Sequence, residues 1–232
     1  AAKSKVREKK FVAWLDLAKQ DAAVIFLLGD LFDFWFEYKK VVPKGYVRIL
    51  GKLAEIRDSG IPVYFFVGNH DLWMEDYFEQ ELGIPVFREP KKFTFENKDF
   101  LIGHGDGLGP GDAGYKRMKQ VFTNPLSKWL YRWLHPDIGI RLGNYLSTKN
   151  KLISGEEDVR FLGEDREWLA QYAREILSKE HIDYFVFGHR HLPMEIKLGK
   201  STYINTGDWI TQFTYVVFDG RKLEIKKFMD ED

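Results

Sequence analysis

Cysteine is absent from these 232 residues. That excludes disulfides, thiolate catalysis and Cys-ligated zinc, and it leaves any metal to imidazole and oxygen donors. Net charge is absent too, because 35 Lys and Arg balance 35 Asp and Glu. A neutral chain has no overall pull on nucleic acid or anionic lipid, so such binding needs a local patch. Long apolar runs are missing. The longest, Ala22 to Leu28, falls far short of the ~20 residues that cross a bilayer. The stretch from Ala1 to Lys10 is charged and has no apolar leader core, so a cytoplasmic protein is the expectation. Apolar residues are plentiful, at 44% with aromatics at 16%. That is enough for the core of one domain with a small addition.

Periodicity predicts an amphipathic helix over 5–20, a buried strand over Val24–Leu28 and a helix over 45–58 ended by Gly60. A strand over Val63–Val67 and a helix over 72–82 follow, then a hairpin of Lys92–Glu96 and Asp99–Ile102 turning at Asn97-Lys98. Residues 111–152 read as two or three helices with no strand, and 156–179 as one long charged helix. Tyr184–Phe187 is a strand, and Met194–Leu198, Thr202–Ile204, Thr214–Phe218 and Leu223–Phe228 are further short strands. Alternating strands and helices followed by a run of strands predict an α/β fold with two sheet layers between helices.

Four buried strands each end in glycine followed by a ligand-type residue: Gly29-Asp30, Gly68-Asn69, Gly103-His104 and Gly188-His189. The carboxyl ends of strands form the crevice in open α/β sheets. Glycine there permits a sharp turn and close backbone approach. One such pair carries no information, whereas four at strand ends form a pattern. Asp30, Asn69, His104, His189 and His191 offer oxygen and imidazole donors without sulfur, which suits Mn²⁺, Fe²⁺ or Zn²⁺. A carboxylate can bridge two ions, and a paired site generates hydroxide near neutral pH and stabilises displacement at phosphorus.

The runs Gly29-Asp30-Leu31-Phe32-Asp33, Gly68-Asn69-His70-Asp71, Gly103-His104-Gly105-Asp106 and Gly188-His189-Arg190-His191 resemble, in order and spacing, the signatures of calcineurin-like metallophosphoesterases. The resemblance covers essentially the whole chain. It implies a four-layer αββα sandwich, with a core of 1–110 and 153–232 and a small helical cap at 111–152. It implies two divalent ions, with Mn²⁺ the expected metal. Asp30 would bridge them, Asn69, His104 and His189 would complete one site, and His191 would serve the other. His70, steadied by Asp71, would donate a hydrogen bond or proton to the phosphate or leaving group, which makes Asp30, His70 and Asp71 the catalytic candidates. Asp33 and Asp106 would orient the ligands.

Within that family, Gly29 to Trp35, Gly103 to Leu108 and Asp112-Ala113-Gly114-Tyr115 resemble the UDP-2,3-diacylglucosamine diphosphatases of lipid A synthesis. Those enzymes cleave a lipid-linked nucleotide pyrophosphate to UMP and 2,3-diacylglucosamine 1-phosphate by metal-activated hydroxide. The resemblance implies that Asn69, His70 and His189 contact the phosphates, Asp112 and Tyr115 the sugar side, and Ser147, Lys149 and Lys151 the phosphates again. Two departures stand out. Some of these diphosphatases carry Arg where this chain has His70. The family also begins with a strand ending in Asp-x-His, whereas this sequence starts at the helix that follows, so that segment is expected upstream.

Residues 111–152 place Lys116, Arg117, Lys119, Lys128, Arg132, Arg141, Lys149 and Lys151 against Asp112 and Asp137, a net +6. Asn124 followed by Pro125 reads as a helix start. Leu126, Trp129, Leu130, Trp133 and Leu134 share one face of that helix, and Lys128, Tyr131 and Arg132 the other. Such a face covers acyl chains or touches the inner-membrane surface, or it packs onto the domain as ordinary core. Two other functions stay open: hydrolysis of a soluble phosphodiester or nucleotide, and a non-catalytic binding module on the same fold.

Overall fold

The computed structural model describes residues 2–110, 113–158, 161 and 163–228, with side chains for 4–110, 113–147, 161 and 163–228. The order is α1 (Ala2–Ala18), β1 (Ile25–Leu27), α2 (Val47–Asp58), β2 (Val63–Phe66), α3 (Tyr77–Leu82), β3 (Val86–Phe87), β4 (Lys91–Phe95) and β5 (Lys98–Gly103). Three helices follow: α4 (Ala113–Thr123), α5 (Pro125–Arg132) and α6 (Pro136–Asp158). After a 3₁₀ turn at Glu164–Arg166 come α7 (Trp168–Leu177), β6 (Tyr184–Phe187), β7 (Pro193–Leu198), β8 (Ser201–Thr206), β9 (Thr214–Phe218) and β10 (Leu223–Lys227).

One sheet is parallel, β1-β2-β3. A second runs β4-β5-β6-β8-β7, parallel through β5, β6 and β8 and antiparallel at both edges. Strands β9 and β10 form an antiparallel ribbon. Three apolar clusters define the layers. Phe11, Leu15, Leu53, Ile56 and Phe78 of the first helices meet Val63 and Phe65 of the parallel sheet. Leu169, Ala170 and Ala173 of α7 meet Phe185, Phe187 and Tyr203 of the mixed sheet. Between the sheets lie Phe66, Phe100, Ile102 and Val186, joined by Phe26, Phe93 and Phe218. Helix, sheet, sheet, helix is the expected αββα order.

Three expectations need correction. Residues 72–76 are not helical, and α3 begins only at Tyr77. Trp73 instead bridges to Phe36 and donates its indole N–H to the Phe122 carbonyl at 2.6 Å. The long helix over 156–179 is two pieces, the end of α6 and then α7, with Gly163 at φ 99 between them. The hairpin turns one residue early, at Glu96 and Asn97, both with positive φ as a two-residue turn requires.

The cap is turned the opposite way from a packed amphipathic helix. Asn124 caps α5 as expected, accepting from Leu126 N at 2.9 Å. The polar face of α5 then faces inward. Tyr131 lies 4.7 Å from the Phe36 ring and 4.6 Å from the Trp73 ring, and Lys128 pairs with Glu75 at 2.7 Å. The apolar face points out, with Trp129 52% and Trp133 75% exposed.

The inter-sheet cluster predicts a stability result. Phe100 is buried, with Tyr184, Phe218 and Phe95 rings at 4.9, 5.0 and 5.6 Å. Phe100→Ala should cost about 3–5 kcal/mol in urea denaturation. A loss below about 1 kcal/mol would show that this cluster does not hold the sheets together.

Candidate metal centre

The site forms where the carboxyl ends of the two sheets meet. Asp30 and Asn69 follow neighbouring parallel strands β1 and β2, and His104 and His189 follow neighbouring parallel strands β5 and β6. Glycine allows the first pair to approach. A Cβ on Gly29 would strike the Gly68 backbone, and a Cβ on Gly68 would strike Asp30. The two chain segments therefore pass in backbone contact.

Asp30, His104 and His189 bring one ligand atom each within 4.8 Å of one another. The Asn69 side-chain oxygen lies 3.1 Å from His104 Nε2 and 3.1 Å from His189 Nδ1. His104 Nε2 is 3.4 Å from Asp30 Oδ2. His104 Nδ1 donates to the Leu28 carbonyl at 2.6 Å, which leaves Nε2 as its inward nitrogen. Asp30 Oδ1 accepts the His70 backbone N–H at 2.9 Å. Asp30, His189 and His191 have φ of 54°, 69° and 46°, a strained region for residues with a Cβ.

Electrostatics follow this geometry. Burial alone would raise the Asp30 carboxyl, but His104 and His70 hold it well below the usual carboxylate range. Burial opposes charge on His104, yet Asp30 outweighs it and brings the imidazole up to about 9. His189 goes the other way, lowered to about 4 by burial and by the neighbouring His104. The centre thus sets an anion beside one imidazole whose protonated form that anion favours and one that stays neutral.

Of the expected metal ligands, the structure brings together Asp30, Asn69, His104 and His189. The grouped atoms do not include His191, although it lies near enough to disfavour charge on His189. Asp71 needs correction. It is fully buried and accepts from Gly68 N at 2.6 Å and Leu31 N at 3.0 Å, which uses its carboxylate on the backbone of the two strand ends. Burial and nearby Asp30 raise its pKa. The His70 ring is held instead by Ser147, 2.7 Å from Nδ1. Asp106 accepts from Lys119 at 2.7 Å and from the Tyr115 hydroxyl, so both residues anchor α4 beside His104. Asp33 is exposed and meets the cap through its carbonyl. Asp112 and the side chains of Lys149 and Lys151 lie outside the described residues.

One supporting ion pair was not predicted. Buried Glu167 pairs with Arg190 at 3.4 Å, beneath the loop that carries His189 and His191. Nothing local in the sequence marks that pair. Lys119 had a signal, since it lies one helical turn from Tyr115. Asn205 is buried and donates to the Gly188 carbonyl, while Asp208 caps the turn after it, accepting from Ile210 N at 2.7 Å and Thr211 N at 2.6 Å. That segment is a turn that props the loop from behind.

Comparisons with known proteins agree with this geometry. A UDP-2,3-diacylglucosamine hydrolase of Porphyromonas gingivalis is 36% identical over 238 residues, spanning 96% of this chain and 90% of that protein. Proteins of the same name from Shewanella baltica and Vibrio parahaemolyticus are 28% and 25% identical, over 87% and 94% of this chain and 82% and 90% of theirs. The calcineurin-like phosphoesterase family model matches residues 7–193, a span that contains every grouped ligand. The chain therefore belongs to the calcineurin-like phosphoesterase family, and it is a metal-dependent hydrolase.

Proposed function

We propose that the chain hydrolyses the pyrophosphate bond of UDP-2,3-diacylglucosamine, giving UMP and 2,3-diacylglucosamine 1-phosphate. The observation that carries this reading is an oxygen-and-imidazole cluster beside a cap whose apolar face is turned outward. A soluble nucleotide needs the cluster and has no use for the face, whereas a diacylated nucleotide needs both. The relatives described above are named for that substrate.

The residues fit a divalent ion, because four sulfur-free donors converge and one imidazole is already oriented by a backbone carbonyl. Asp30, Asn69, His104 and His189 would hold one ion, and Asp30 with His191 would contribute to a second. Mn²⁺ suits the set, and Fe²⁺ and Zn²⁺ are compatible. Bound ions supply Lewis acidity to the phosphate oxygens and make water nucleophilic near neutral pH. The chain's own residues do the rest. The His70 backbone N–H fixes the Asp30 carboxylate, and the His70 ring donates to the phosphate or leaving group. Asn69 and His189 hold the phosphates. Residues 111–152, continued to Asp158 by α6, act as a lid over the acyl chains. Among the described residues no helix is long and apolar enough to cross a membrane. We place the protein in the cytoplasm, with the α5 face at the inner-membrane surface.

With Mn²⁺, the protein should release UMP from the diacylated substrate and stop on chelation. Equal kcat/KM for the deacylated analogue would transfer the reading to a soluble substrate. Replacing both Trp129 and Trp133 with Ser should lower kcat/KM for the diacylated substrate on the order of tenfold, since each exposed ring loses apolar area to bury. Its thermal midpoint should stay put. An unchanged kcat/KM would remove the lipid role of α5.

Metal content gives a separate check. Asp30→Ala should strip more divalent ion, measured by elemental analysis after dialysis, than His191→Ala, because Asp30 lies among all the grouped donors. The reverse order would show that Asp30 is not the shared ligand.

A further inference from the structure

Gly139, Gly143 and Ser147 are spaced by four along α6 and so share one face. That face rests on the core. A Cβ on Gly139 would collide with the Tyr38 hydroxyl, and one on Gly143 would collide with the Phe34 ring. Without side chains at these two positions, the α6 backbone settles directly onto the two rings. One turn further on, the same face delivers Ser147 to the metal centre. Its Oγ lies 2.7 Å from His70 Nδ1 and 2.5 Å from the Asp33 carbonyl oxygen.

The two contacts together fix where the protons are. A serine hydroxyl has one hydrogen to donate and lone pairs to accept with. Two oxygens 2.5 Å apart must have a hydrogen between them, since a carbonyl offers only lone pairs. Ser147 therefore donates to Asp33. Toward His70 it can only accept, so His70 Nδ1 carries a hydrogen. That holds whether the ring is neutral or charged, and it leaves Nε2 as the working nitrogen. Among the described residues, Nε2 makes no hydrogen bond.

We propose that Ser147 is a positioning residue for His70. It selects the Nδ1–H form of the ring, and it ties that selection to the seating of the cap helix α6 on Phe34 and Tyr38. The phosphate donor is then set only when the lid is in place. This proposal rests on the reading of His70 as the donor to phosphate.

The test uses ¹⁵N-histidine-labelled, zinc-loaded full chain, with His70 assigned by its loss in His70→Ala. Ring nitrogen spectra at a pH where His70 is neutral should show a single Nδ1–H tautomer. Ser147→Ala should give a mixture of tautomers and lower kcat on the order of tenfold with KM little changed. Ser147→Thr keeps the hydroxyl and should restore both. Gly143→Ala, which lifts α6 off Phe34, should mix the tautomers without altering Ser147. In a His70→Ala background, Ser147→Ala should cost nothing further. An unchanged tautomer in Ser147→Ala would overturn the proposal, as would a rise in KM alone. Full turnover by His70→Ala would instead remove the donor role, and the spectra would still report whether Ser147 sets the ring.

Discussion

The candidate metal centre depends on two separate sheets being held in one alignment, and the hydrogen bond from His104 Nδ1 to the Leu28 carbonyl ties them there. Leu28 follows β1 of the parallel sheet, and His104 follows β5 of the mixed sheet. The bond crosses between layers at their carboxyl ends. Slipping one sheet against the other would break it and would carry Asp30 and Asn69 away from His104 and His189. The aromatic layer of Phe66, Phe100, Ile102 and Val186 opposes such a slip by packing, but apolar contact has no direction. The directional restraint comes from the polar contact at the rim.

That restraint works against local strain. Asp30, His189 and His191 occupy left-handed backbone, which costs of order 1–3 kcal/mol at each position. The offsetting interactions are buried hydrogen bonds set behind the ligands. Asp71 ties Gly68 N to Leu31 N across the first two strand ends. Asn205 holds the Gly188 carbonyl, and the Glu167–Arg190 pair lies beneath the histidine loop. Each links the strained residue's own loop to an adjacent element, so the ligand directions follow from the fold rather than from the ligands' mutual attraction.

The strand ends were legible in the sequence because their signal is local: an apolar run, a glycine, then a donor. The layered order was legible for the same reason, through periodicity. What failed was partner choice between distant segments. Asp71 adjoins His70 in sequence, yet its carboxylate is turned to Gly68 and Leu31, while His70 is held from 77 positions away by Ser147. Amphipathicity showed two faces on α5 but not which one is buried. That depended on Phe36 and Trp73, distant in sequence, whose rings meet Tyr131. The break before Tyr77 was also settled by tertiary contact, with Trp73 drawn to Phe122.

The polar attachment of the cap is what frees its apolar face. Lys119 and Lys128, two of its basic residues, are bound to Asp106 and Glu75 of the core, and Lys116 donates to the Gly109 carbonyl at 2.6 Å. A partly exposed ion pair contributes about 0–1 kcal/mol, so these contacts orient the helices more than they fasten them. The firmer hold is the ring cluster of Phe34, Phe36, Trp73 and Tyr131. Had the tryptophan face been used for docking, the cap would bury more apolar area and would expose no apolar face. Docking by one tyrosine, three lysines and a bare glycine stripe keeps α6 in register with His70 and leaves Trp129 and Trp133 exposed.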